Sequence, residues 1–323
     1  MEAGHASSDI VVLKNLAKRY PNGKVAVHPL TFSIPQGQCL GFLGVNGAGK
    51  TTTLKMLSLE HDPTGGEAFL NSFSILNQQT EVRRSLGYCP QFDALIPTLT
   101  ARETLSLYAR IKAVPEEMIA EYVTAMIQKL QLQAYADKPC GGYSGGNKRK
   151  LSVGIALIGD PSIVFLDEPS SGMDPDARRF MWKLISSTMA GRSVILTTHS
   201  MEECEALCGR IAIMAAGRLQ CLGSSPHLKH RFGSGYQLDC NLAPARQAEL
   251  AARVGGELKA VVKRQDGHKV TFGVPKGLLS LGKIFAMMES LKAEFELREY
   301  SLSETTLEQI FLQIAENNET REP

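Results

Sequence analysis

No stretch of this chain stays apolar for long. The longest uninterrupted run, Ile211 to Ala216, falls far short of the roughly 18 residues that a bilayer crossing needs, so no spanning segment is expected. Charge of one sign is also missing: 35 Lys and Arg stand against 33 Asp and Glu, a net of +2. That balance excludes a strong global field for gathering nucleic acid or anionic lipid, and any charged partner must be met locally. The seven cysteines are an odd number with no Cys-x-x-Cys, and the closest pair, Cys204 and Cys208, has no matching pair elsewhere. A disulfide framework and a zinc site are both disfavoured, which leaves reduced structural thiols. The first 25 residues hold no apolar block followed by a small-residue cleavage site. Ala3 to Ser8 reads as a polar tail, and a cytosolic setting is expected.

What is present is ordinary globular material: 323 residues, 43% hydrophobic and 21% charged, enough for one large domain or two smaller ones. Strands are expected at Ile10–Leu13, Leu30–Ile34 and Cys39–Leu43, with a turn at Pro21-Asn22-Gly23-Lys24. From Thr100 to about Leu132 apolar residues recur every three or four positions (Leu105, Tyr108, Ile111, then Met118, Tyr122, Met126), the spacing of helix. Ile163–Leu166 and Val194–Thr198 read as buried strands, each after a helical pattern, so the fold class is α/β with a covered, largely parallel sheet.

Composition shifts at residues 223–235, where Gly223-Ser224-Ser225-Pro226 and Gly233-Ser234-Gly235 bracket a basic stretch. The expected organisation is a polar tail (1–9), a first domain (10–230) and a second (234–323). In the second, strands at Tyr236–Leu242, Leu258–Lys263, Lys269–Val274 and Phe295–Tyr300 alternate with helices at Ala245–Val254 and Leu278–Leu291. That β-α-β-β-α-β order is the ferredoxin-like α+β sandwich. A last helix places Leu307, Ile310, Phe311 and Ile314 on one face, with Thr305-x-x-Glu308 as its capping box.

The strongest chemical signal is Gly44-Val45-Asn46-Gly47-Ala48-Gly49-Lys50-Thr51, directly after a strand and before the apolar-periodic Leu54, Met56 and Leu57. It satisfies every fixed position of a phosphate-binding loop in the context that motif requires. Its glycines let successive N–H groups face phosphates at a helix N-terminus, Lys50 reaches the β and γ phosphates, and the Thr51 hydroxyl sits on Mg²⁺, with Thr52 next on the helix. The strand Ile163–Leu166 runs into Asp167-Glu168. One carboxylate toward the metal and the next toward the attacking water is the division that phosphoryl transfer needs, so Asp167 is assigned to Mg²⁺ and Glu168 to the water.

These residues, taken with others, carry a family resemblance. Tyr143-Ser144-Gly145-Gly146-Asn147, 24 residues before Asp167, resembles the signature motif of ABC-type ATPases. Gln91 in Gly87-Tyr88-Cys89-Pro90-Gln91, Ser171-Gly172-Met173-Asp174 after the acidic pair, and His199 in Thr197-Thr198-His199-Ser200 complete the set in order. The resemblance covers about residues 10 to 225. The longer strings around Ser144–Ser152 and Ser171–Arg179, and the end Thr306–Leu312, are similar to the A subfamily of eukaryotic lipid transporters and its small regulatory domain.

The resemblance implies a P-loop NTPase fold with a helical subdomain at about 92–160, and ATP and Mg²⁺ as cofactors. It implies that Tyr20, thirty residues before Lys50, stacks on adenine; that Gln91 touches Mg²⁺ and water; and that His199 binds the γ-phosphate and orients Glu168. Gly44, Asn46, Gly47, Ala48 and Gly49 wrap the phosphates, Ser144, Gly145 and Gly146 approach the γ-phosphate of a second module, and Asp174 lies at that junction. Partners follow: a second nucleotide-binding domain, as homodimer or pseudo-dimer, and the transmembrane domains that handle lipid, with this chain at the cytosolic face of a membrane.

Tyr143 and Asn147 stand where Leu and Gln are commoner in the signature, and Gly172-Met173 where Ala-Leu is. Lys148-Arg149-Lys150 reads as a solvated helix face, with an acidic or phospholipid contact as its alternative. A soluble ABC ATPase of ribosomes or DNA is the competing function, but the chain lacks the second phosphate loop or long coiled coil that those types carry. GTP is disfavoured because no Asn-Lys-x-Asp follows the loop. RNA is disfavoured for the second domain, where 11 basic and 13 acidic side chains net −2 without paired stacking aromatics.

Overall fold

The computed structural model describes residues 9–233, 235–275 and 280–319. Residues 1–8 of the expected tail, and Leu278 and Leu279 of one expected helix, lie outside that set. Two compact units result, 9–224 with 317–319 and 225–316, which puts the helix Ser225–Phe232 in the second.

The first unit opens with strands β1 (Asp9–Arg19), β2 (Val25–Pro35) and β3 (Cys39–Leu43), helix α1 (Lys50–Leu57), strands β4 (Gly65–Leu70) and β5 (Phe73–Ser74), helix α2 (Gln79–Ser85) and strand β6 (Leu86–Cys89). Three helices follow, α3 (Ala101–Ile111), α4 (Glu116–Lys129) and α5 (Gly145–Leu157). The chain then alternates as β7 (Ile163–Asp167), α6 (Pro175–Thr188), β8 (Ser193–Thr198), α7 (Met201–Leu207), β9 (Arg210–Ala215) and β10 (Arg218–Gly223). A six-stranded sheet of order β10-β9-β3-β8-β7-β6 is parallel except at its β10 edge, and a four-stranded antiparallel sheet has order β2-β1-β4-β5.

Every residue of β3, β7 and β8 is buried, as strands covered on both faces must be. One apolar cluster joins the two sheets through α1, with Leu13, Leu30, Phe42, Leu54, Met56, Phe165 and Ile195 in it. The C-terminal ends of β3, β7 and β8 therefore emerge side by side, and on them sit the phosphate loop, Asp167 and Thr198. Helix α3 is fixed by a full capping box, Thr100 and Glu103 each satisfying the other's backbone.

The second unit holds α8 (Ser225–Phe232), β11 (Tyr236–Asn241), α9 (Gln247–Leu258), β12 (Val261–Asp266), β13 (Lys269–Val274), α10 (Leu281–Phe295), β14 (Glu299–Glu304) and α11 (Leu307–Glu319). Its sheet has order β12-β13-β11-β14 with every pair antiparallel, the ferredoxin-like arrangement. Leu250, Val254 and Leu258 of α9 and Ile284, Met288 and Leu291 of α10 pack on one sheet face. The expected β-strand at Leu258–Lys263 starts three residues later, because Leu258 continues the i, i+4 apolar series of α9 and Lys259 ends that helix in a left-handed cap. Phe295 likewise closes α10, so the last strand begins at Glu299. The cap of α11 is one residue further on than expected. Thr305 is buried and donates its hydroxyl to the Gly235 carbonyl (2.8 Å), leaving Thr306 and Gln309 to form the reciprocal pair.

All seven cysteines are free and buried. Among the described residues no helix is long and apolar enough to cross a membrane.

Candidate nucleotide site

The phosphate loop spans the end of β3 and the start of α1, and its shape depends on glycine. A Cβ on Gly44 would lie 2.6 Å from the Met214 carbonyl oxygen, and Gly47 and Gly49 hold φ of 83° and 99°, the left-handed region. Val45, Asn46 and Gly47 are exposed at the crest, while Ala48, Gly49 and Lys50 are buried. Lys50 folds back: its Nζ donates to the Gly44 carbonyl at 2.7 Å and the Val45 carbonyl at 3.3 Å. Burial lowers its pKa, with the charges of Glu168 and Asp167 opposing the fall.

Asp167 at the end of β7 is fully buried, and its Oδ1 accepts from the hydroxyls of Thr51 (3.2 Å) and Thr197. Its Oδ2 is buried with no hydrogen-bond partner. An orphaned carboxylate oxygen beside a helix-start hydroxyl is an oxygen donor pair suited to a hard divalent cation such as Mg²⁺. No group of three or more His, Cys, Asp or Glu that could hold a metal occurs among the described residues, so such an ion would lean on the substrate's own phosphates.

Glu168 follows at φ 52°, a left-handed backbone that costs a non-glycine residue about 1–2 kcal/mol. Its N–H holds that geometry by donating to the Thr197 carbonyl and hydroxyl, both at 3.1 Å. The carboxylate is 7% exposed, and its Oε2 lies 2.8 Å from His199 Nδ1. Burial raises the Glu168 pKa, opposed by His199 and Lys50. His199 keeps most of its ring exposed, free to meet a ligand with its other nitrogen.

The remaining expected residues lie elsewhere. Ser144 caps α5 by accepting from Asn147 N–H at 3.3 Å, and Ser144 and Gly145 are exposed. With Gly146, Gly172, Met173 and Asp174 they line a cleft of about 640 Å³ that includes no phosphate-loop residue among its described lining. Asp174 caps α6 through the N–H groups of Asp176 (3.1 Å) and Ala177 (2.9 Å). Tyr143 is buried against Tyr135 with its hydroxyl on the Tyr135 carbonyl, which accounts for the unusual residue at that position. Tyr20 rests against the main core beside His61, with Lys18 over its ring. Gln91 is exposed, and among the described residues its side chain makes no hydrogen bond; it is the Gln91 carbonyl that is held, by Arg149.

Arg149 corrects the reading of Lys148-Arg149-Lys150 as a solvated face, since only 5% of it is exposed. One turn inside α5 it lies on the stripe Arg149, Ser152, Val153, Ala156, all buried. Extending the apolar stripe backwards is the sequence signal that separates it from its neighbours.

This loop, acidic pair and signature together define a nucleotide-binding domain, and comparison agrees. Residues 27–171 match the family model described as ABC transporter, and an AAA-domain model matches 139–205. The chain belongs to the ABC transporter family as one of its ATP-binding domains. Its relatives narrow the resemblance to sub-family A. It is 48% identical over 319 residues to ATP-binding cassette sub-family A member 2 of Rattus norvegicus, covering 97% of this chain and 13% of that protein. It is 46% identical over 313 residues to the phospholipid-transporting ATPase ABCA7 of Homo sapiens (96% and 15%), and 45% identical over 317 residues to human phospholipid-transporting ATPase ABCA3 (94% and 18%). The chain thus spans 13–18% of the length of these relatives. Among solved structures, an ATP-binding subunit of an ABC transporter superposes with a TM-score of 0.64 at 25% identity, covering 69% of this chain and 93% of that one. A dimeric ATP-binding cassette in a post-hydrolysis state bound to ADP and Pi gives 0.62 at 24% identity (66% and 98%), which bears on fold alone.

Proposed function

We propose that this chain is the ATP-hydrolysing module of a lipid transporter, working by closure with a second nucleotide-binding domain over two ATP molecules. The observation that carries the reading is the separation of two half-sites. Lys50, Asp167, Glu168 and His199 converge in one place, while Ser144, Gly145 and Gly146 open into a different cleft. The phospholipid-transporting names of the relatives support the same reading.

In this mechanism ATP meets the N–H groups of Gly47, Ala48 and Gly49 and the N-terminus of α1, and Lys50 exchanges two neutral carbonyls for charged phosphate oxygens, a stronger hydrogen bond. Tyr20 covers the adenine. Thr51, Asp167 and Gln91 would hold Mg²⁺, which would supply charge neutralisation to the nucleotide's phosphates. Glu168 accepts a hydrogen bond from the in-line water and is held in place by His199, whose exposed nitrogen reaches the γ-phosphate. Ser144, Gly145 and Gly146 of the second module supply a hydroxyl, backbone N–H groups and a helix N-terminus to that γ-phosphate, with Asp174 at the seam. Cleavage of the terminal phosphate removes the group that both modules share, and the pair opens.

A groove on α2, β6 and α3, with Arg83, Arg84, Tyr88, Tyr108 and Ile111 in its lining, is the surface offered to the transmembrane domains at the cytosolic face of the membrane. Tyr88 lies on the strand that leads to Gln91, which links partner and site. The C-terminal unit contains no phosphate loop and is assigned to regulation by docking on its counterpart. No observation favours a ribosomal or DNA-bound ATPase. The test is ATP hydrolysis as a function of chain concentration, with Glu168→Gln as control. A rate per chain that climbs with concentration and vanishes in the variant is expected; a rate independent of concentration speaks against the composite site.

A further inference from the structure

Among the described residues, Arg149 is the one buried cation that hydrogen-bonds both segments carrying the hydrolytic residues. Its Nε donates to the Pro169 carbonyl (3.2 Å), its Nη2 to the carbonyls of Asp167 and Glu168 (the latter at 3.1 Å), and its Nη1 to those of Pro90 and Gln91 (the latter at 3.3 Å). Nη1 also pairs with Asp93 Oδ1 at 3.1 Å. Five N–H groups thus serve six acceptors in one planar fork, an arrangement that a lysine ammonium with three donors at a single point does not reproduce. All but one of the acceptors are backbone carbonyls. What Arg149 fixes is therefore the path of the chain through 90–93 and 167–169, and hence where Gln91, Asp167 and Glu168 are presented.

The same helix carries, one turn earlier, the Ser144–Gly146 tip, with Ser144 and Gly145 exposed. We propose that Arg149 is a positioning residue that ties the signature helix to this chain's own Gln91 and Glu168 segments, so that seating the tip on one ATP sets the hydrolytic groups that serve the other. Arg149 then couples the two ATP sites of the closed pair. The coupling rests on the composite-site reading above; the clamp itself does not.

Two measurements on the full chain separate these. Without nucleotide, Arg149→Gln speeds amide exchange at the bonded N–H groups of 167–171 by about ten-fold or more and leaves 151–157 of α5 within about two-fold, while Lys148→Gln on the same helix changes neither. With ATP, Arg149→Gln leaves the Kd for ATP within about three-fold, lowers kcat about 10- to 100-fold and takes the Hill coefficient for hydrolysis from about 2 toward 1. Asp93→Asn, a milder change that keeps the guanidinium, moves every readout in the same direction by less.

Unchanged exchange in 167–171 overturns the clamp. A loss of kcat that only follows a loss of ATP binding, with the Hill coefficient unmoved, overturns the coupling. A wild-type chain without ATPase at any concentration strikes the proposed function and leaves the exchange result to decide the clamp.

Discussion

The two faces that would close on ATP are built on opposite principles. On the phosphate-loop face the chemical groups are buried and bonded to one another: Lys50 and Glu168 are 7% exposed and Asp167 is fully buried. On the signature face Ser144 and Gly145 are open to solvent. The glycines tell the difference most directly. A Cβ on Gly44 would strike the chain's own Met214 carbonyl, whereas one on Gly145 would meet nothing within 4 Å. The first glycine answers to this fold and the second is not constrained by it, as the proposed half-site would require.

That contrast is sharpest in hydrolysis. Glu168→Gln is expected to lower turnover about 10²- to 10⁴-fold while ATP binding, measured by titration calorimetry, stays intact. Equal losses of both would erase the distinction between holding phosphate and attacking it.

A glycine pair tests the comparison next. Gly44→Ala should destabilise the chain by about 1–3 kcal/mol in denaturant unfolding and abolish ATP binding. Gly145→Ala should change stability by less than about 0.5 kcal/mol and leave binding alone, yet slow hydrolysis. If the two variants behave alike, the faces do not differ in kind.

Within the helical region, Thr100→Ala removes the α3 capping box, at a cost of about 1 kcal/mol seen as a lower unfolding midpoint with an unaltered ATP Kd.

The smallest effect belongs to the C-terminal sheet, which neither face involves. Burial pushes the Asp239 carboxyl up, but hydrogen bonds from Thr271, Lys269 and Gln237 outweigh it and leave the pKa lowered. Such a group stabilises the fold above its unfolded pKa of about 3.9 and ceases to do so as pH falls through the lower folded value. Asp239→Asn should flatten the acid limb of the stability curve as pH falls from about 5 through the lowered folded value, without touching ATPase activity.

Much of this was readable beforehand, for physical reasons that differ by element. The phosphate loop, the acidic pair and the signature announce themselves because backbone geometry fixes their spacing. Strands β1, β2, β3, β7 and β8 and, within a few residues, the four of the C-terminal sheet were visible as alternating or continuous apolar runs, whereas β4, β5, β6, β9 and β10 were not expected. Arg149 was missed, because a basic triplet reads as a solvated face unless the buried stripe of its helix is followed back to it. The cap of α11 was ambiguous for another reason. Thr305 and Thr306 each have a suitable partner three residues on, and only a tertiary bond to Gly235 decides between them.

The left-handed backbone at Glu168 sets selection for stability against selection for turnover at a single codon. Glycine there would release up to about 1–2 kcal/mol of conformational strain, so a screen that rewards thermal resilience alone should enrich Glu168→Gly, and every clone it recovers should be inert toward ATP.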